Sequence, residues 1–154
     1  MKKKNRIIIF SIMAVFILII MYLVWGVWSV RNVSNSHLET NVVEQQYFDE
    51  YLKRDLLSYF VTNIDTNAIR IEYELLRDGP TQSGLALPKY YIWVRVYNSG
   101  GIITEGAMRV AAAEKDHFII TNSDFLSYDE IKSNPDVINT LFPESVVEKI
   151  KAKI

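Results

Sequence analysis

The sequence predicts an α+β domain carried behind an apolar N-terminal segment. Three observations predict it. The apolar period is near 3.6 residues from Leu38 to Phe60, drops to 2 between Ile69 and Tyr97, and gives way to helix-start signals after Ser127. Turn residues separate the period-2 runs, at Asp78-Gly79-Pro80, at Asn98-Ser99-Gly100-Gly101 and at Glu114-Lys115-Asp116. Charge is absent from Ile7 to Trp28 and frequent afterwards. Of 154 residues, 124 lie beyond Val30, near the size of a single domain.

The uncharged run is 22 residues long, and a helix needs about 20 to cross the hydrocarbon of a bilayer. Fourteen of the 22 are Ile, Leu, Val or Phe, which favours insertion by roughly 4–8 kcal/mol. A cleaved signal peptide has a shorter apolar stretch and a small-residue cleavage site, and neither is present. The expectation is therefore an uncleaved signal anchor over 7–29. A basic cytoplasmic tail, 1–6, precedes it; a linker, 30–36, follows it; the domain occupies 37–154. Lys2, Lys3, Lys4 and Arg6 stand before the anchor and only Arg31 close behind, so the N-terminus stays in the cytoplasm and the domain lies outside. In a bacterium this is the inner membrane, with the domain periplasmic or extracellular. Tyr22, Trp25 and Trp28 cluster at the outer end, where aromatic rings favour the headgroup zone. These residues and the four cations are the expected membrane-interface anchors, and the bilayer is the first expected partner. Beyond the anchor, 13 Lys and Arg face 18 Asp and Glu, a balance of −5. An acidic domain disfavours nucleic acid, which needs a basic surface to displace counterions.

Within the domain, Ser36-His37-Leu38-Glu39 has capping-box spacing and opens a helix to about Phe60. Val43, Tyr47 and Tyr51 form one apolar row, and Phe48, Leu52, Leu56 and Phe60 the next. Ile69, Ile71, Tyr73 and Leu75 then alternate with Arg70, Glu72, Glu74 and Leu76, as in a strand with one buried face. Lys89 to Tyr97 is the strongest strand. Ile92, Val94 and Val96 share one face; Tyr91, Trp93, Arg95 and Tyr97 share the other. The Asn98–Gly101 turn returns the chain as a strand over Ile102 to Ala113, and Gly106 within it predicts a bulge or sharp bend. A short fourth strand, His117 to Thr121, completes an antiparallel meander. Helices should start at Ser127, at Asn134-Pro135 and at Pro143.

The whole is one long amphipathic helix on a bent antiparallel sheet of about four strands, with short C-terminal helices. This order resembles the cystatin-like and nuclear-transport-factor-like cone folds. The resemblance is in element order and rests on no signature motif.

Chemistry is sparse. With no Cys there is no disulfide, thiolate metal site or cysteine nucleophile. The two imidazoles, His37 and His117, sit in a helix cap and beside a turn. Asp124, Asp129, Glu130 and Asp136 do not fit a calcium loop and read as helix-start carboxylates. Glu72 and Glu74 share a strand face with Arg70 and read as an exposed strand side. No catalytic motif, metal site or cofactor is expected. The aromatic face of Tyr91, Trp93, Arg95 and Tyr97 is the candidate partner-binding surface, unless the C-terminal helices cover it. The leading expectation is a non-enzymatic assembly, scaffold or partner-binding module of an envelope complex, by analogy with secretion and conjugation machinery. Its partners would be envelope proteins, with homo-oligomerisation a further option. The alternatives are a small-ligand-binding cone domain and an unrecognised hydrolase or isomerase.

Overall fold

A computed structural model of the chain describes residue 13 and residues 15–26, 42–83 and 86–154. Residues 15–26 are helical (α1). Among the described residues, no helix is long and apolar enough to cross a membrane. The rest of the 7–29 segment lies outside the described residues, as do the linker and the expected cap at Ser36.

The domain then follows in the order α2 (Gln45–Asn63), β1 (Arg70–Leu75), β2 (Lys89–Asn98), β3 (Gly101–Glu114), β4 (His117–Ile119), β5 (Phe125–Ser127), α3 (Tyr128–Ser133), α4 (Ile138–Leu141) and α5 (Glu144–Lys151). It is α+β, as expected. The antiparallel order across the sheet is β1-β2-β3-β4, and β5 also pairs with β3. β4 lies against Ala111–Glu114 and β5 against Gly106–Met108, so two short strands share one edge of the long β3.

Helix α2 lies on the first face of the sheet. Phe48, Leu52, Leu56, Tyr59 and Phe60 meet Ile71, Ile92, Val94, Val96, Met108, Val110 and Phe118. Leu52, Leu56, Phe60, Ile92, Val94, Val96, Met108 and Val110 are fully buried, so side chains fill the seam between helix and sheet. At about 1.5–3 kcal/mol per large apolar side chain, this layer is a principal source of stability. The helix begins later than expected. Val42–Glu44 are not helical, and Val43 reaches the core from the segment that precedes the helix. Two adjacent β-branched residues are poor helix formers. The periodicity therefore counted Val43 into a helix that it precedes.

The second face is also covered over part of its width. Leu76, Tyr91, Trp93, Ala107 and Leu126 pack against Ile131, Ile138, Phe142, Val146, Val147 and Ile150 of the C-terminal segment. Ser127 caps α3 as expected: its hydroxyl accepts from Glu130 N, and the Glu130 carboxylate accepts from Ser127 N. The architecture is thus helix, sheet, helices in three layers. Three further expectations need correction. Ile69 and Leu75 are exposed, because β1 is an edge strand covered by α2 only in its middle. The fourth strand stops at Ile119, and β5 was not foreseen. Gly106 is no bulge. It pairs in register with Val94, and a Cβ there would overlap Leu126 O and come within 2.8 Å of Ser127 Cα. Glycine is needed for the close approach of the β5 backbone. The register shift falls between Val96 and Tyr97 instead, where Thr104 and Ile102 are the successive partners and Ile103 is the extra residue.

Candidate partner-binding face

The second face of the sheet is built from rows of residues aligned across β1, β2 and β3. Leu76, Tyr91 and Arg109 form one row; Glu74, Trp93 and Ala107 the next. Then come Glu72, Arg95 and Glu105, and finally Arg70, Tyr97 and Ile102. The C-terminal helices cover Leu76, Tyr91, Trp93 and Ala107 of the first two rows, leave Glu74 exposed at the border, and leave the last two rows open. The four candidate residues therefore divide. Tyr91 and Trp93 are buried, at 6% and 3% exposure. Tyr91 meets the Phe142 ring edge-on at 6.0 Å, and its hydroxyl lies 2.7 Å from Thr81 Oγ1. Of the two alternatives for this pair, coverage by the helices is the one found. Arg95 is exposed and Tyr97 half-buried, on the open part.

The open rows carry a polar lattice of two adjoining networks. Arg95 Nε donates to Glu105 Oε2 at 3.0 Å, and Trp93 Nε1 reaches the same oxygen at 3.3 Å. Tyr97 donates to Glu72 Oε2 at 2.8 Å, and the Arg70 guanidinium stacks 4.1 Å above the Tyr97 ring. The carboxylate of Glu105 raises the Arg95 guanidinium above its ordinary range. The hydrogen bond to Glu72 raises the Tyr97 phenol likewise. Lys153 closes the border, with Nζ 2.7 Å from Glu74 and 5.9 Å from the centre of the Trp93 ring. Between the rows lies a depression of about 340 Å³, lined by Glu72, Tyr73, Glu74, Trp93 and Arg95. Ile102, on β3 in the last row, is 57% exposed.

Glu105 was not foreseen as the hub of this lattice. Counting back from the Asn98–Gly101 turn places Thr104 opposite Arg95 and turns Glu105 to the other face. The bulge at Ile103 shifts the register by one and brings Glu105 across. Sequence gives no local mark for that bulge, since Ile103 is an ordinary strand residue. The border contact of Lys153 with Glu74 spans 79 positions and has no local signal either.

The remaining candidates fall elsewhere. Tyr22 and Trp25 are exposed on α1, and Lys2, Lys3, Lys4, Arg6 and Trp28 lie outside the described residues, as does His37. Asp124 bonds Arg109 Nε at 2.7 Å and Thr121 N at 3.1 Å, as part of a helix-start box. Asp129, Glu130 and Asp136 occupy first turns. His117 Nδ1 lies 3.1 Å from Asp116 Oδ1 on the β3–β4 turn. With Glu114 these two could offer three ligand atoms to a cation, but Glu114 and Asp116 are exposed and His117 half-buried.

No family model matches the chain, and neither does any curated protein or solved structure with which it was compared.

Proposed function

We propose that this chain is a single-pass membrane protein whose extracytoplasmic domain is a partner-binding or assembly module of an envelope complex. One observation carries the reading. The centre of the seam between α2 and the sheet is filled with fully buried side chains, and a groove lies open at its β1 edge, while half of the sheet's second face stays open and presents Arg70, Arg95, Tyr97 and Ile102. A cone domain that holds a small ligand needs the opposite arrangement, an apolar cavity at that seam. Arg and Tyr are among the residue types that dominate protein interfaces.

Anchoring rests on the uncharged run and the cations before it. In support, the apolar side chains of α1 are not packed into the domain: Phe16, Leu18, Tyr22 and Trp25 are 65%, 66%, 73% and 64% exposed. Such a surface calls for a non-aqueous cover, and a bilayer supplies one. The cone-like order of elements remains a likeness in outline. The test is photocrosslinking of the full chain in intact cells, with a photoreactive phenylalanine replacing Tyr97. A control carries it at Ser58, an exposed position on α2. Adducts of discrete mass at position 97, absent at 58 and lost in Arg95→Glu, are expected. Equal labelling at the two positions would remove the binding-face reading.

A further inference from the structure

We propose that the open edge of β1 joins two copies of this chain, antiparallel, across a two-fold axis through Ile71. β1 ends the strand order, with β2 as its neighbour on the other side. Leu76 N donates to Tyr91 O at 2.8 Å, which fixes the alternation of the β1–β2 ladder. The N–H and C=O groups of Ile71, Tyr73 and Leu75 then point away from β2. Among the described residues no strand pairs with these groups, so they form an open template along Ile71–Leu75. Beside this edge, Lys53, Arg54 and Leu57 of α2 border a groove of about 450 Å³ that also takes in Ile69 and Ile71. Ile69 is 64% exposed there.

Charge selects the occupant and its register. Arg70, Glu72 and Glu74 alternate along one side of the edge; Arg70 and Glu72 are 60% and 49% exposed and lie 3.6 Å apart within the chain, a loose surface pair open to exchange. Like charges directly opposite each other are unfavourable in a sheet, and opposite charges are favourable. A two-fold at Arg70 sets it against the partner's Arg70. Axes at Glu72 and Glu74 set each against its own copy, and an axis at Tyr73 sets Glu72 against the partner's Glu74. Only the axis at Ile71 gives attraction without repulsion. It places Arg70 opposite the partner's Glu72, twice, and Ile69, whose N–H already donates to Tyr97 O at 2.9 Å in its own chain, beside the partner's Tyr73. The exposed Ile69 side chains then enter the two grooves. Such an axis runs perpendicular to the joined sheet, so both α2 helices lie on one side of it.

The chain has no cysteine, so single cysteines report the register directly. Full-length chains carrying Arg70→Cys and Glu72→Cys, each with its own tag, are expressed together in membranes and oxidised mildly. The expected result is a disulfide-linked dimer containing both tags, with none from either variant alone. A dimer from Glu72→Cys alone would place the axis at Glu72, and one from Arg70→Cys alone would place it at Arg70; either overturns the proposal. So does a monomer from the mixture, or an adduct with a different protein, which would make the edge a heterologous docking strand. Both substituted side chains are exposed, and unchanged circular dichroism confirms the fold. As a second measurement, Arg70→Glu and Glu72→Arg should each abolish dimer exchange between fluorescently labelled chains in vesicles. The double swap should restore it; failure of rescue counts against the ion-pair register.

Discussion

The indole of Trp93 is fixed on every side. Ala107 and Glu74 flank it across the sheet, Lys153 lies over its ring, and its Nε1 meets Glu105. The residue is 3% exposed although the next residue along its face, Arg95, is open. Its role is therefore that of a keystone between the second apolar layer and the polar lattice. Trp93→Ala should cost about 3–5 kcal/mol, as for any large-to-small core truncation. Arg95→Ala, on an exposed site, should change stability within about 0.5 kcal/mol. Denaturant melts of the two variants check this. A Trp93→Ala protein as stable as the parent would mean that the C-terminal helices do not seat on the sheet.

At the scale of elements, the attachment of β5 depends on Gly106. The β5 backbone crosses where a side chain would stand, so Gly106→Ala must push Leu126 and Ser127 off β3. Overpacking against backbone costs typically about 1–3 kcal/mol. Because Ser127 also caps α3, the displacement should reach the C-terminal layer. Hydrogen exchange should then speed up at Leu126 and Ile131 and stay unchanged in α2. Uniform acceleration would contradict this local picture. The same glycine marks how far sequence alone reaches. Its presence in a strand was visible, but not whether it served a bulge or a close approach, because β5 has only three residues and no alternation of its own. The alternation of β2, the Asn98–Gly101 turn and the Ser127 cap were legible because each is set by local chemistry. The face of Glu105 was not, because one bulged residue inverts every assignment beyond it. Likewise, Tyr91 and Trp93 read equally well as covered or as offered. Their burial depends on helices 35 or more positions away in the chain.

For the whole molecule, both apolar layers share β2 and β3, so they should unfold together. Alkaline pH provides a selective way to test this. Burial raises the phenol of Tyr90 above its ordinary value. Burial raises Tyr59 as well, with Asp124 and Glu130 adding to it. Tyr73 is raised furthest, by burial and then by its bond to Asp49 at 3.1 Å. In the unfolded chain a tyrosine ionises near pH 10. These side chains thus keep in the folded state protons that the unfolded state releases. Their contribution is complete below about pH 10 and is lost progressively as pH rises through the folded values. All three belong to the layer between α2 and the sheet, whereas Trp93 reports on the opposite layer. A full-length chain with Trp25→Phe and Trp28→Phe leaves Trp93 as its single indole. Raising the pH above 10 should lower the urea midpoint, and Trp93 fluorescence should change in step with helical circular dichroism. Tyr90→Phe removes one ionisable group with little change in volume and should reduce the alkaline loss relative to pH 8. If Trp93 kept its folded emission after the helical signal had gone, the C-terminal layer would be an independent unit. The shared strands would then not couple the two faces.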